Sequence, residues 1–119
     1  MKKLILSLLV AAFVGGNTLS AQTITKNEDG KYSLSVGHVT LTVDAQKGGK
    51  IVSYRYDDKE ILSQTKIPNS FGSTFWTSPQ SEWNWPPVPE YDSKPFDVQT
   101  TDAALVLTGE KSKRFGYRV

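Results

Sequence analysis

Apolar and polar residues alternate along the first half of the chain, and this period of two restricts the fold more than any other feature. The segments Tyr32–Val36 and 39–43 alternate strictly, which turns one face of each strand inward. Residues 51–56 are rich in β-branched and aromatic side chains and read as the next strand, with residues 59–62 after an aspartate turn. We therefore expect an antiparallel meander with short connections.

The character of the sequence changes after the fourth predicted strand. Residues 64–95 hold all six prolines and all three tryptophans, and proline removes a backbone donor, so we expect little regular structure in this Trp/Pro-rich loop. Alternation returns in residues 98–101 and Leu105–Thr108, and it starts once more in residues 115–119. The pattern predicts an all-β fold, an antiparallel β-sandwich with a long Trp/Pro-rich loop. Because no turn follows the last alternating segment, we expect residues 22–119 to be the N-terminal part of a sandwich that continues.

No cysteine and a single histidine, His38, occur among the 119 residues. Disulfide bonds, thiolate zinc sites, iron–sulfur clusters and cysteine nucleophiles all need cysteine sulfur, so these are excluded. One histidine cannot form a multi-histidine metal site, and a Ser-His-Asp triad would depend on His38 alone. We therefore predict that the protein uses no metal and no cofactor.

The N-terminus has the three parts of a secretory signal. Lys2-Lys3 supplies positive charge, residues 4–14 form an apolar run too short to span a bilayer, and Leu19-Ser20-Ala21 offers a small-residue cleavage site. We predict a signal peptide at residues 1–21, cleaved after Ala21, which leaves a secreted or periplasmic domain without membrane attachment. An uncleaved membrane anchor is the alternative.

Removal of Lys2 and Lys3 also balances the charge, since twelve basic and twelve acidic residues remain. The densest basic group is then Lys111, Lys113 and Arg114, which falls far short of the positive stripe that a nucleic-acid-binding surface needs. We expect neither DNA nor RNA as a partner.

The Trp/Pro-rich loop brings flat aromatic rings and polar planar groups close together in the sequence. Indole rings cover the apolar C–H face of a sugar, while carboxylates and amides hydrogen-bond its hydroxyl groups, so this pairing predicts a carbohydrate site. The candidate substrate-binding residues are Trp76, Gln80, Glu82, Trp83, Asn84 and Trp85. Trp83 and Trp85 would face the same way if their segment were extended. The alternative for each tryptophan is that its ring fills a core beneath the loop.

Three other polar positions are better explained by structure than by chemistry. His38 stands beside Gly37 between two predicted strands, where a turn or surface role is favoured over catalysis. Asp57-Asp58 stands in a predicted hairpin turn, where aspartate satisfies local hydrogen bonds. Arg55 lies within a predicted strand, and a solvated, outward side chain is favoured there over contact with a sugar.

Two stretches of the chain resemble the galactose mutarotase-like (aldose 1-epimerase-like) superfamily. The first runs from Val39-Thr40-Leu41-Thr42-Val43-Asp44 through Gly48-Gly49-Lys50-Ile51 to Glu60-Ile61-Leu62, which gives a strand, a Gly-Gly-Lys-Ile turn, a second strand and an acidic hairpin. The second runs from Gly72-Ser73-Thr74-Phe75-Trp76 through Trp85-Pro86-Pro87 and is similar to a secreted bacterial branch of that superfamily.

The resemblance covers residues 31–119 and implies the first part of a longer β-supersandwich. Aldose epimerases open and re-form the sugar ring with a carboxylate base and a histidine acid, and these residues normally lie beyond the part represented here, so the catalytic residues stay unknown. The resemblance implies a secreted, carbohydrate-binding, aldose 1-epimerase-like protein, which is an isomerase only if its catalytic residues are supplied. The alternative is a non-catalytic carbohydrate-binding, accessory or structural β-sandwich module.

Overall fold

The computed structural model describes residues 21–65, 67 and 71–119, and these residues form two antiparallel sheets with very little helix. The first sheet has five strands in the order of the chain, each hydrogen-bonded to the next, and the second has two. The strands are β1 (Thr23–Lys26), β2 (Tyr32–Val36), β3 (Val39–Asp44), β4 (Lys50–Tyr56), β5 (Lys59–Glu60), β6 (Asp97–Thr100) and β7 (Leu105–Thr108). The predicted all-β, antiparallel meander is therefore confirmed.

The five-stranded sheet has one apolar face and one polar face, because facing residues on neighbouring strands share a side. One row across the sheet joins Leu34, Leu41 and Tyr54, and the next row joins Ser33, Thr42 and Ser53. The hydroxyl groups of Ser33 and Thr42 lie 3.2 Å apart and hydrogen-bond across the strands. The alternation in the sequence thus separates an apolar surface from a hydroxyl-bearing one.

A β-bulge interrupts the pairing of β3 with β4. Thr42 faces Ser53, whereas the next residue, Val43, faces Ile51, so Val52 is an extra residue on β4. Because Val52 has no partner, Ile51 faces Val43 on the apolar side of the sheet, and Lys50 faces Asp44 on the polar side. The bulge therefore decides which side of the sheet receives the Lys50 charge.

Two buried apolar residues lie where the turn between β3 and β4 meets the second sheet. Val43 and Ala45 are buried, and the carbonyl of Ala45 accepts a 2.8 Å hydrogen bond from the backbone N–H of Phe96, just before β6. A Cβ on Gly49 would lie 3.1 Å from the side chain of Leu107, which shows how closely β7 approaches this turn. The second sheet is thus fixed at one end of the first.

The chain between β5 and β6 contains two short helical turns. A single 3₁₀ turn spans Gln80–Glu82, and the helix α1 spans Pro89–Asp92. Proline suits the first position of α1, since its fixed φ fits a helix and its missing N–H would be unpaired there. Within the described part of the chain, no helix has the length and apolar character required to cross a membrane.

The prediction of a strand beginning in residues 115–119 is wrong, because this segment folds back on itself. Gly116 takes a positive φ of 75°, and its N–H donates to the carbonyl of Ser112 at 2.9 Å. Tyr117 then stacks on the buried ring of Tyr91 with ring centres 5.6 Å apart. The contact with Tyr91, formed across 26 residues, replaces strand pairing at this point. The predicted signal peptide lies outside the described residues except for Ala21.

Candidate functional site

The three tryptophans form one cluster with Trp76 at its centre. The ring of Trp76 meets Trp83 at 5.7 Å and Trp85 at 6.2 Å between centroids, and both contacts are edge-on. Edge-to-face contact aligns the positive edge of one ring with the negative face of another, which favours a defined arrangement. The structure thus brings together three of the predicted site residues.

The three rings differ sharply in exposure. Trp83 is 5% exposed, and its indole N–H donates to the carbonyl of Thr77 at 3.0 Å, so this ring is part of the core. Trp76 is 44% exposed and Trp85 is 67% exposed. We call the exposed rings of Trp76 and Trp85 the tryptophan surface. Trp83 therefore fills the core beneath the loop, which was the alternative to sugar binding for each tryptophan. Of the three rings, Trp76 and Trp85 are available to a ligand.

The candidate polar residues lie in and just after the 3₁₀ turn. The carbonyl of Gln80 accepts hydrogen bonds from the backbone N–H groups of Trp83 at 3.1 Å and of Asn84 at 2.7 Å. Asn84 has a positive φ of 55°, so the chain turns sharply between Trp83 and Trp85 and the segment is not extended. Gln80, Glu82 and Asn84 are all exposed, and they are close neighbours of Trp83 and Trp85 in the sequence.

Asp92 is a site residue that the sequence did not reveal. Its Oδ1 accepts a 3.0 Å hydrogen bond from the indole N–H of Trp76 and lies 3.1 Å from Nζ of Lys50. The side chains of Lys50 and Asp92 are 13% and 15% exposed, so this ion pair is well shielded from water. Because 42 residues separate the two partners, no local pattern in the sequence could have indicated the pair.

Gly48 allows α1 to approach the sheet at this point. Its φ is +68°, and a Cβ there would lie 2.1 Å from the backbone oxygen of Asp92. Its own N–H donates to the carbonyl of Lys94 at 2.9 Å. The Gly-Gly-Lys turn therefore places Lys50 and the end of α1 together, and only glycine fits the contact.

A recess of about 660 Å³ lies on the polar face of the sheet beside the tryptophan cluster, and we call it the polar cleft. Its uncharged lining includes Thr42 and Ser53 of the sheet, together with Gln64 and Phe71. The charged residues that line the polar cleft are Asp29, Lys31, Asp44, Lys47, Lys50 and Asp92. Asp92 therefore belongs to both the polar cleft and the tryptophan cluster.

The segment after β7 holds the two helical turns in place. Nη2 of Arg114 donates to the carbonyl of Glu82 at 2.9 Å, and Nζ of Lys94 lies 3.1 Å from both Glu110 and Glu90. Hydrogen bonds to Glu110 and then Glu90 raise the pKa of Lys94 above its usual value. A backbone hydrogen bond at Glu90 itself, followed by the bond from Lys94, lowers the pKa of the Glu90 carboxyl.

The remaining polar candidates lie at the opposite end of the sheet. Nδ1 of His38 lies 2.7 Å from Oδ1 of Asp57, which joins the turn before β3 to the turn after β4, and both side chains are exposed. Arg55 is exposed, as predicted, and lies 3.6 Å from Asp58. β3 separates this end from the Lys50–Asp92 end by about 17 Å, at roughly 3.3 Å per residue. His38 and Asp57 are therefore not part of the tryptophan surface.

The chain matches no protein-family model, and no curated protein and no solved structure is significantly similar to it.

Proposed function

We propose that the tryptophan surface binds carbohydrate. The observation that carries the proposal is the exposure of Trp76 and Trp85, together with the edge-on contacts that Trp76 makes with Trp85 and with the buried ring of Trp83. Exposed indole rings lose contact with water when the apolar face of a sugar covers them, and this burial favours binding. The net free energy of binding is largest when the rings are already held in position before the sugar binds. Trp76 is fixed by its hydrogen bond to Asp92 as well as by ring contacts.

Polar groups beside the rings complete the proposed site. Gln80, Glu82 and Asn84 are exposed within a few residues of Trp83, and together they offer amide donors and both amide and carboxylate acceptors. Sugar hydroxyl groups both donate and accept hydrogen bonds, so this mixture suits them better than a surface of one charge. The rings would provide contact area and the polar groups orientation.

The family resemblance supports a sugar as the ligand, and we extend the proposal to architecture and location. The two sheets are proposed to be the beginnings of the two layers of a galactose mutarotase-like sandwich, joined where Phe96 and Leu107 pack beside Gly49. The proposed location is secreted or periplasmic, because residues 1–21 carry the pattern of an export signal.

The function that we propose for the described residues is binding, without ring opening. An aldose epimerase needs a histidine and a carboxylate at the sugar, whereas His38 and Asp57 lie at the other end of β3 from Trp76. The tryptophan surface has the aromatic area for recognition, and Glu82 is the nearest candidate acid in the sequence. A carbohydrate-binding or accessory role therefore has more support than isomerase activity.

The test is titration of the protein with D-galactose and with D-glucose, followed by tryptophan fluorescence and calorimetry. We expect fluorescence to change with sugar and Trp85→Ala to weaken binding about fivefold, since an exposed aromatic contact is worth about 1 kcal/mol. The matched control is Tyr56→Ala, which removes an aromatic ring of 54% exposure at the far end of the sheet. Unchanged spectra at high sugar concentration, or equal losses in the two variants, would overturn the proposal.

A further inference from the structure

The polar cleft adjoins the tryptophan surface at Asp92, but the proposed function does not use it. We propose that the polar cleft binds one ring of an uncharged sugar, so that the natural ligand is an oligosaccharide extending from the cleft onto the tryptophan surface. This inference rests on the proposed function and adds the length and charge of the ligand to it.

The charges of the polar cleft favour an uncharged ligand. Three lysines and three aspartates line it, so their formal charges cancel. Four of these six residues form two ion pairs, since Lys31 lies 2.5 Å from Asp29 and Lys50 lies 3.1 Å from Asp92. A cleft of balanced charge attracts neither anions nor cations over distance, whereas paired donors and acceptors suit a ligand with many hydroxyl groups.

Two charged groups remain available to such a ligand. Asp44 is only 9% exposed, and the one hydrogen bond that its side chain makes within the described residues is from the backbone N–H of Gln46 to Oδ1 at 3.1 Å. A carboxylate with so little access to water gains strongly from a hydroxyl donor. Lys47 lies on the same turn, is exposed, and makes no ion pair with another described residue. Asp44 thus offers an acceptor and Lys47 a donor in one recess.

The size and the apolar parts of the cleft also fit a sugar ring. A volume of about 660 Å³ lies within the range of small-molecule sites, which runs from roughly 300 to 1,000 Å³. Phe71 and the bulge residue Val52 line the cleft and provide apolar surface for the C–H face of the ring. A recess of only charged groups would lack this contact.

Asp92 makes the cleft continuous with the tryptophan surface. Its carboxylate lines the cleft, and Oδ1 is 3.0 Å from Nε1 of Trp76. A ligand ring in the cleft therefore lies next to the edge of an exposed indole. One sugar ring in the cleft and further rings on Trp76 and Trp85 would form a single binding path.

The experiment is calorimetric titration of the full chain with D-galactose, D-glucose, β-1,4-galactotetraose and cellotetraose. We expect a tetrasaccharide to bind at least about tenfold more tightly than its monosaccharide, because it occupies both surfaces. Asp44→Asn should weaken tetrasaccharide binding about tenfold, since a hydrogen bond to a charged group is lost. Asp58→Asn is the matched control, because Asp58 is fully exposed at the opposite end of the sheet.

The outcomes separate the two proposals. If Trp85→Ala weakens binding but Asp44→Asn behaves like Asp58→Asn, the cleft is not a sugar site and the tryptophan surface still is. If neither monosaccharide nor tetrasaccharide binds, both proposals are overturned. Should Asp44→Asn fail to fold, Lys47→Gln tests the same cleft, with an expected loss of about threefold. Its control is Lys59→Gln, because Lys59 is an exposed residue of β5, and equal affinities in these two variants would overturn the cleft proposal.

Discussion

The indole N–H of Trp76 donates to Oδ1 of Asp92 at 3.0 Å, although sixteen residues separate the two side chains in the sequence. The same oxygen lies 3.1 Å from Nζ of Lys50 at the start of β4. An exposed aromatic ring is thus tied to the sheet through a shielded ion pair. This connection explains how a loop rich in proline can hold a ring in a fixed position.

Asp92→Asn is expected to destabilise the protein by about 3 kcal/mol, because Lys50 would keep a shielded charge without a carboxylate partner. The amide oxygen can still accept a bond from Trp76, so the loss reports mainly on the ion pair. Urea unfolding measures the change as a lower midpoint. The control Asp58→Asn alters an exposed pair and should change stability by less than about 0.5 kcal/mol. Equal midpoints for the two variants would contradict the prediction.

Truncation of Trp83 should cost far more stability than truncation of Trp85. Trp83→Ala removes a buried ring and its bond to Thr77, and we expect a loss of about 4 kcal/mol. Trp85→Ala removes a ring that is mostly in water, so its loss should stay below about 1 kcal/mol. Thermal unfolding monitored by circular dichroism distinguishes them. A smaller loss for Trp83→Ala than for Trp85→Ala would show that the core assignment of Trp83 is wrong.

Gly48→Ala should be far more harmful than Gly30→Ala, even though both residues have positive φ. Backbone strain alone costs about 1 kcal/mol in either variant. A Cβ at Gly48 would also collide with the backbone oxygen of Asp92 at 2.1 Å, whereas a Cβ at Gly30 meets nothing within 4 Å. Denaturant midpoints provide the comparison. If the two variants lose the same stability, α1 does not approach the turn as closely as described.

Glu60 makes the stability of the sheet sensitive to acid. The hydroxyl of Ser53, followed by the backbone N–H of Tyr54, holds the pKa of the Glu60 carboxyl below its ordinary value of 4.5. A lowered pKa in the folded state means that the carboxylate stabilises the fold above about pH 4.5 and that this stabilisation is lost as pH falls through the folded value. The Lys31 ammonium lowers the pKa of Asp29 in the same direction.

We therefore expect the denaturant midpoint to fall as the pH is lowered below about 5, and Glu60→Gln to make that fall smaller. Glu28→Gln serves as the control, because Glu28 is exposed in the turn between β1 and β2. If the midpoint falls with pH to the same extent in Glu60→Gln, in Glu28→Gln and in the unmodified protein, Glu60 does not contribute to the acid sensitivity.

The sequence predicts the strands whose side chains alternate by themselves. β2 and β7 have the predicted bounds, and β3 and β4 differ from the predicted segments by one residue at one end. These strands are recognisable because apolar residues recur every second position and β-branched residues are frequent. β1 was not predicted, since Ile24 is the only apolar residue among its four and its pairing with β2 supplies the order.

The candidate site was predicted in part. The tryptophans do cluster, but the pattern of residues alone could not separate the buried Trp83 from the exposed Trp85. That distinction depends on the positive φ of Asn84, which turns the chain between the two rings. Asp92 escaped prediction for a different reason, because its partner Lys50 comes from another part of the chain. Local periodicity carries no information on contacts of this range.

The bulge at Val52 makes the position of the Lys50 charge depend on how β4 pairs with β3. If Val52 took a partner, it would face Val43, Ile51 would face Asp44, and Lys50 would turn to the apolar face, where the ion pair with Asp92 could not form. Removal of the unpaired Val52 would instead leave Ile51 opposite Val43 and Lys50 opposite Asp44. A change of residue type at this position, or even its loss, is therefore compatible with the ion pair, whereas a change of strand register is not.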